Sequence, residues 1–388
     1  MIENSYYLFA IFLGFIFLTL WLDANFKLMR NFSPPIIIFF LSGLASNMGL
    51  IADRSPFYDT LAGFTVPFAV CLVLFSVDLS DLRRYGGPLL VAFAISCICS
   101  IIGVLMSGLL FNPELSKVLG TESWKLAGPF TGTYTGGNLN FFAMWNGLEI
   151  GNPDLFAAAN AVDNLTIFPL FAFWVFVPKL LGKWYPVSKF WSTTDELETE
   201  DEDKKKENPE LRIQDIVALS FAAVVIIVFS DLIKEHLIAD YMPSFPTILI
   251  ITTLALILAQ FRFISRLQGT FEIGFLAFYF FFCAVGAMIN IKMVIVLSPI
   301  LLAYTMLIIV VHMVSIYGIG RLLRMDIRVL TIASVAAKAG PPIVVALANV
   351  HGWKNLILPG VAIGILGYAV GNYLGFAAAY AMKALLGQ

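Results

Sequence analysis

Apolar stretches long enough to cross a lipid bilayer recur twelve times along this 388-residue chain. A bilayer core requires about 20 apolar residues in helical conformation, within a range of roughly 17–25. Of the residues, 59% are hydrophobic and 13% are charged, whereas soluble domains average about 45–50% and about 25%. Because one soluble core cannot bury this excess, the sequence predicts an all-α polytopic membrane protein.

A dense mixed-charge stretch at 192–212 separates the apolar segments into two sets of six. This stretch, which contains DELETEDEDKKKENPELR, cannot lie in lipid and has too few apolar residues to fold alone. We favour a solvated hinge over a regulatory element. The predicted units are a first transmembrane repeat (1–182), a charged cytoplasmic linker (183–212) and a second transmembrane repeat (213–388). The segments lie at 5–22, 35–51, 60–77, 88–111, 125–148 and 154–181, then at 213–234, 245–260, 271–290, 294–320, 328–350 and 356–385.

The two sets correspond element by element, which indicates an internal duplication. Each second segment is short, and each sixth segment is rich in small residues. Each fifth segment is interrupted, by GPFTGTYTGGNLN at 128–140 and by AAKAGPPIVV at 336–345. Interrupted segments at matching positions in two halves are a sequence indicator of a transporter's binding site.

The orientation of the two halves depends on whether each fifth segment crosses the membrane. Twelve full crossings would make the halves parallel and place about nine loop cations on the linker side and about seven outside. Re-entrant fifth segments would invert the halves and place about ten inside and about six outside. The inside set then includes Lys27, Arg30, Arg83 and Arg84. We favour inverted repeats with two broken or re-entrant helices crossing near the midplane, and ten to thirteen crossings stay open.

The first interruption carries a cluster of polar groups within an apolar segment. Gly136 and Gly137 allow the backbone to leave helical geometry, which frees N–H and C=O groups. In a membrane such groups survive where they line a cavity or are covered by protein. A half-helix N-terminus there would also present partial positive charge to an anion. We predict a substrate or ion site, with a self-capped glycine kink as the alternative. Its polar side chains are Thr131, Thr133, Thr135 and Asn138.

Asp163 is the most informative single residue because it lies inside the sixth segment, between Asn160 and Asn164. A carboxylate at membrane depth costs several kcal/mol, and such residues usually mark ion or proton pathways. We predict that all three residues belong to the site and that Asp163 exchanges H⁺ or Na⁺. A Na⁺ ion could lie at Asp163 and Asn138. The alternative is a structural aspartate that caps the neighbouring break.

Lys338 is the corresponding charge of the second half, next to the helix-breaking pair Pro341 and Pro342. Its ammonium could extend along the apolar surface towards the basic loop at Arg328. Alternatively, it reaches the midplane and pairs with Asp163. We include Lys338 among the predicted site residues.

Three weaker features complete the list of candidates. His312 is either a proton relay or a hydrogen-bonded packing residue. The charged run at 78–84 is typical of a solvated helix end. A small-residue ridge suited to close helix contact is formed by Gly367, Gly371 and Gly375.

Four stretches of the chain resemble the YjcL-like family of uncharacterised bacterial integral membrane proteins. The motifs TGTYTGGN and GYAVGNYLG are the most specific parts, and the four stretches lie at 55–82, 128–141, 157–168 and 353–375. More distantly, the plan is similar to sodium/proton antiporters, the sodium/glutamate symporter and bile-acid symporters. This resemblance implies a panel domain and a core domain with two crossing broken helices. It also implies that Asp163 and Asn164 stand where the antiporters carry their ion.

The second break departs from that family pattern. YjcL-like proteins tend to have asparagines and Gly-Gly-Pro there, whereas this chain has Val335, Ala337, Lys338 and then Ala-Gly-Pro at 339–341. Fewer polar oxygens and an added ammonium would weaken a sodium site. Our hypothesis is that the charge of Lys338 stands in for a bound cation, which predicts proton-linked or sodium-independent transport.

The function predicted from these features is secondary transport by alternating access, of a small organic anion coupled to H⁺ or Na⁺. A monovalent cation/proton antiporter is the alternative, and a channel or membrane-embedded sensor is an alternative of another class. We expect neither an enzyme nor a bound cofactor, because no catalytic motif is evident. The net charge of −2 does not suggest nucleic acid. The expected partners are a small solute or ion, the lipid bilayer of the bacterial inner membrane, and, as a possibility, a second copy.

Overall fold

The computed structural model describes residues 2–26, 34–77, 87–185, 211–241 and 245–388. Most of the charged linker, the charged run at 78–84, and Lys27 and Arg30 lie outside these ranges. Within them the chain is helical, and the only extended pairing is an isolated parallel bridge between Ile2 and Ile51. Nine of the described helices are long and apolar enough to cross a membrane. The predicted all-α polytopic membrane fold is confirmed.

Fifteen α-helices form the described part of the chain. The sixth predicted segment is two helices, because a turn at Thr166 interrupts it. The second and eighth segments are short helices of 14 and 13 residues. The helices are α1 (Ser5–Asn25), α2 (Pro34–Asn47), α3 (Pro56–Leu74), α4 (Gly87–Leu119), α5 (Ala127–Gly136), α6 (Asn138–Gly147), α7 (Pro153–Leu165), α8 (Ile167–Leu181), α9 (Ile213–Ile233), α10 (Thr247–Ala259), α11 (Arg262–Ser265), α12 (Thr270–Ala287), α13 (Ile291–Leu322), α14 (Ile327–His351) and α15 (Ile357–Leu386).

Local capping explains several of the helix starts. Ser55 caps α3 through the amide of Phe57, and Asn152 caps α7 through the amide of Leu155. In both helices a proline occupies the first turn, where its missing N–H costs nothing. The Asp326 carboxylate caps α14 in the same way.

The helices form two groups that pack mainly within themselves. The panel helices are α1, α2, α3, α9, α10 and α12, in which α12 lies against α2 and α3, and α9 and α10 also contact α3. The core helices are α4 to α8 and α13 to α15, in which α13 lies against α4 and α7, and α15 lies against α5 and α14. Each repeat therefore contributes helices to both groups.

Both interrupted segments double back on themselves. A Cβ atom added to Gly128 would lie 2.4 Å from Leu148, although twenty residues of continuous helix would span about 30 Å. In the second segment, a Cβ atom on Gly360 would meet both Ile332 and Val344, at 2.8 and 2.6 Å. These contacts correspond to the re-entrant alternative. We name the two elements hairpin 1 (127–147) and hairpin 2 (327–351).

The two hairpins begin at opposite ends of the helix bundle. Tyr185, at the start of the linker, donates its hydroxyl proton to the Tyr317 carbonyl near the end of α13. A short turn then leads into hairpin 2, which therefore starts on this linker face. Hairpin 1 starts on the opposite face, where Ser123 contacts the C-terminal Gln388. The inverted relation of the two repeats stays a prediction, and these contacts favour it over a parallel arrangement.

Candidate functional site

The two helix breaks lie side by side. Gly137 has φ 78° and ψ 177°, and Gly340 has φ 72° and ψ −175°, a positive φ that favours glycine. A Cβ atom on Gly137 would lie 4.0 Å from the Gly340 nitrogen, and one on Gly340 would lie 2.9 Å from the Tyr368 hydroxyl. Gly136, expected to take part in the break, remains helical at the end of α5.

Asp163 and Lys338 form a buried ion pair beside these breaks. Their side chains are 1% and 3% exposed, and the Lys338 Nζ donates to Asp163 Oδ1. The ammonium also lies 4.0 Å from the centre of the Tyr134 ring, which adds a cation–π contact. Of the two alternatives for Lys338, the structure shows pairing and not extension to the surface. The pair joins α7 of the first repeat to hairpin 2 of the second.

Polar side chains of hairpin 1 and α7 extend from the ion pair. The Thr133 hydroxyl lies 3.0 Å from both Asp163 Oδ2 and Asn138 Oδ1, and its single proton serves one of them at a time. Asn138 donates to Asn164 at 3.0 Å, and Asn164 donates to the side chain of Asn160 at 2.9 Å. These five side chains and Lys338 therefore form one connected network.

Two predicted site residues lie elsewhere. The hydroxyl of Thr135 donates to the carbonyl of Thr131 one turn earlier in α5, and neither residue lines the cavity described below. The physical reason is the helical period, because residues two positions from Thr133 point to a different side of the helix. Thr131 and Thr135 are buried packing residues in this structure.

The network forms one wall of a cavity of about 350 Å³ between the panel and core helices. This volume lies within the range that small-ligand pockets occupy, about 300–1,000 Å³. The opposite wall is largely apolar and aromatic, with one hydroxyl from Tyr279. The polar wall consists of Asn138, Asn160, Asp163, Asn164 and Lys338, and the opposite wall of Pro34, Pro35, Phe275, Phe278, Tyr279 and Phe282.

The oxygen atoms near Asp163 are of the kind that a sodium or proton site uses. They belong to Asp163, Thr133 and Asn138 and lie within one hydrogen-bonded cluster. The Lys338 ammonium lies next to the Asp163 carboxylate and neutralises it. A bound cation would have to occupy the same position to do so.

Two tyrosines of the site were not predicted from the sequence. Tyr134 lies under the Lys338 ammonium, and Tyr368 lies against both breaks and lines the cavity. A signal for Tyr368 was available, since it is one of two tyrosines within the glycine ridge of α15, the second-repeat helix that corresponds to α7. The ridge itself packs on hairpin 1: a Cβ atom on Gly367 would lie 3.0 Å from the Thr135 carbonyl.

His312 connects the two hairpins behind the site. Its Nδ1 lies 2.9 Å from the Ser100 hydroxyl, which also lies 2.9 Å from the carbonyl of Tyr134. Its Nε2 lies 2.9 Å from the hydroxyl of Ser334, which accepts from Trp174. When the proton is on Nδ1, each of the side chains in this row of hydrogen bonds has a donor or acceptor partner. The contacts match the packing interpretation of His312, because none of them reaches Asp163.

Replacing His312 with leucine is therefore expected to destabilise the protein. The change removes two buried hydrogen bonds, each worth about 0.5–1.5 kcal/mol. The midpoint of thermal unfolding in detergent should fall by several degrees. His236→Leu, at an exposed position, is the matched control. Equal midpoints for the two variants would contradict a role for the His312 network in stability.

Two bundles of helices, two broken hairpins and an ion pair in the cavity between the bundles define a multi-pass helical membrane protein. The family described as "Protein of unknown function (DUF819)" matches residues 10–385, and the chain belongs to this family. It is also 25% identical over 368 residues to "Uncharacterized membrane protein YjcL" of Bacillus subtilis (strain 168), covering 91% of each chain. The resemblance to YjcL-like proteins is confirmed.

Proposed function

We propose that this protein is a secondary transporter of the bacterial inner membrane that works by alternating access. Its substrate is a small organic anion, which moves together with H⁺, and its two repeats are inverted. One observation carries the proposal: the buried pair of Asp163 and Lys338 lines a cavity between two helix groups. An intramembrane charge pair is costly, and such pairs usually mark a transport route.

The ion pair suggests how the proton and the anion are coupled. A proton that enters from solution binds the Asp163 carboxylate and removes its negative charge. The Lys338 ammonium then lacks a counter-charge, and the carboxylate of the substrate takes its place. Release of both on the other side restores the original pair. Because charge is expensive at this depth, the proton and the anion bind together, and the loaded and empty sites both stay neutral.

The cavity walls support an organic anion as the substrate. The N-terminus of α6 at Asn138 offers free N–H groups and partial positive charge to an anion. In hairpin 2, Pro341 and Pro342 remove the equivalent donors, so Lys338 supplies the positive charge on that side. The aromatic panel wall suits the apolar part of an organic molecule better than it suits a bare ion.

Lys338→Ala tests the coupling. Uptake by reconstituted protein should fall at zero sodium, because the anion loses its counter-charge. High sodium should restore part of it, since a Na⁺ ion bound beside Asp163 would supply the positive counter-charge that the ammonium provided. Lys292→Ala, at an exposed position, is the control and should behave like the unmodified protein. An unchanged rate and unchanged ion dependence for Lys338→Ala would exclude this role of Lys338.

A monovalent cation/proton antiporter is the second candidate, and the oxygen cluster of Asp163, Thr133 and Asn138 favours it. A channel or sensor would need no coupling carboxylate.

Proteoliposomes with a trapped pH dye separate the symporter, the antiporter and the channel or sensor. Addition of Na⁺ or K⁺ alone moves protons through an antiporter, whereas a symporter moves protons when the anion is added. Counterflow of a labelled carboxylate identifies a carrier.

A further inference from the structure

A second cavity lies at the same boundary between panel and core helices. It has a volume of about 380 Å³. Helix α12 runs past both cavities and shows their order. Phe275, Phe278 and Phe282 line the site cavity, whereas Phe281 and Val285 line the second cavity further along the helix. The boundary between the cavities therefore falls at Phe281 and Phe282.

Two core helices place the boundary at the same level. On α7, Asp163 and Asn160 line the site cavity, whereas Phe156 lines the second cavity. On α6, Phe142 lines the site cavity, and Trp145 lines the second. The second cavity also touches 149–153, which follows hairpin 1 on the face opposite the linker. The site cavity instead extends to Pro34 at the start of α2. The other end of α2, at Asn47, bonds to the Ile289 carbonyl next to the second cavity, so Pro34 lies towards the linker face.

A layer of aromatic rings lies between the two cavities along these three helices. We name it the phenylalanine layer. Its ring centroids are 4.8 Å apart for Phe142 and Phe282, 5.4 Å for Phe156 and Phe281, and 6.0 Å for Phe142 and Phe156. All five of its side chains are at most 4% exposed. They are Phe142 and Phe156 from the core helices and Phe278, Phe281 and Phe282 from the panel helix α12.

We propose that the phenylalanine layer is the closed barrier of the transport route and that the second cavity is the mouth of this route on the face opposite the linker. The proposal rests on the transport function proposed above. The structure then represents the state in which the site faces the linker side. A constriction made of apolar rings excludes water and polar solutes without a mechanical plug.

The composition of the layer explains how it could open. Its rings come from both helix groups, so movement of the core helices against α12 would separate them while each group keeps its own packing. An aromatic cluster confined to one group would move as a unit and could not act in this way. Opening on this face would join the second cavity to Asp163 and Lys338.

Labelling of introduced cysteines from each membrane face tests the barrier without any substrate. Ile343→Cys reports on the site cavity, and Val285→Cys reports on the second cavity. An impermeant maleimide, applied to right-side-out and inside-out vesicles, should label each position from one face only. The background lacks the four native cysteines, which are free and buried: Cys71, Cys97, Cys99 and Cys283.

Removal of the layer should then make the site cavity accessible from both faces. With Phe142→Ala and Phe282→Ala combined, labelling of the Ile343→Cys variant from the face opposite the linker should rise by about tenfold or more. Phe280→Ala is the matched control, because Phe280 is the neighbouring residue on α12 but stacks on Phe9, away from the layer. This control should leave the sidedness unchanged.

Equal labelling of the Ile343→Cys variant from both faces in the protein with an intact layer would overturn the proposal. So would an equal response to the double alanine variant and to Phe280→Ala. If the double variant fails to fold, Phe142→Ala alone gives the same comparison with a smaller rise. A sided barrier in a protein that moves no solute would refute the transport function but not the barrier, which keeps the two failures distinguishable.

Discussion

Asp163→Asn is expected to abolish transport, with a loss of at least about 100-fold in rate, equivalent to about 2.7 kcal/mol. The asparagine keeps the size of the side chain but cannot take up and release a proton. It also leaves the Lys338 ammonium permanently without its partner. Proton-driven uptake into proteoliposomes measures the effect. Asp240→Asn, at an exposed position, is the control and should retain full activity.

The same variant should also be less stable, and this effect must be separated from the functional one. Removing one partner of a buried ion pair costs about 3–5 kcal/mol, because the other charge stays buried and uncompensated. Adding Lys338→Met to Asp163→Asn removes the second charge. We expect the double variant to regain thermal stability and to remain inactive. A double variant that transports at the normal rate would contradict the assignment of Asp163 as the coupling residue.

The sequence was sufficient to predict the residues at the centre of the site. Asp163 and Lys338 stand out because charge within an apolar segment is costly, and glycines and prolines marked both breaks. Two open questions were decided by contacts across the fold. Lys338 could have extended to the surface, and the first interrupted segment could have continued in one direction instead of folding back. Only the positions of Asp163 and Leu148 in three dimensions exclude these alternatives.

Other features depend on which side of a helix faces which neighbour. Thr131 and Thr135 carry the same hydroxyl as Thr133, yet only Thr133 turns towards Asp163. The phenylalanine layer was not predictable for the same reason. Phe280 and Phe281 are adjacent in an aromatic run of α12, but one contacts Phe9 and the other lies between two cavities.

Gly136→Ala is expected to prevent hairpin 1 from packing on α15 and to give little folded protein. The added Cβ atom would lie 2.2 Å from the carbonyl oxygen and 2.8 Å from the carbonyl carbon of Gly367. Real Cβ atoms do not approach backbone so closely, so the helices must separate. Overpacking of this kind usually costs about 1–3 kcal/mol or more. Separation would also move Thr133 away from Asp163, and transport should be lost with stability.

Gly318→Ala is the matched control, because a Cβ atom on this helical glycine would meet no atom within 4 Å. Alanine is better than glycine in a helix by roughly 0.5–1 kcal/mol, so this variant should be as stable as the unmodified protein or slightly more stable. Size-exclusion chromatography of heated detergent extracts gives the midpoint of thermal unfolding for both variants. If Gly136→Ala and Gly318→Ala unfold at the same temperature, α5 and α15 are not held at the close distance that brings the two breaks together. The site built on those breaks would then lack its structural basis.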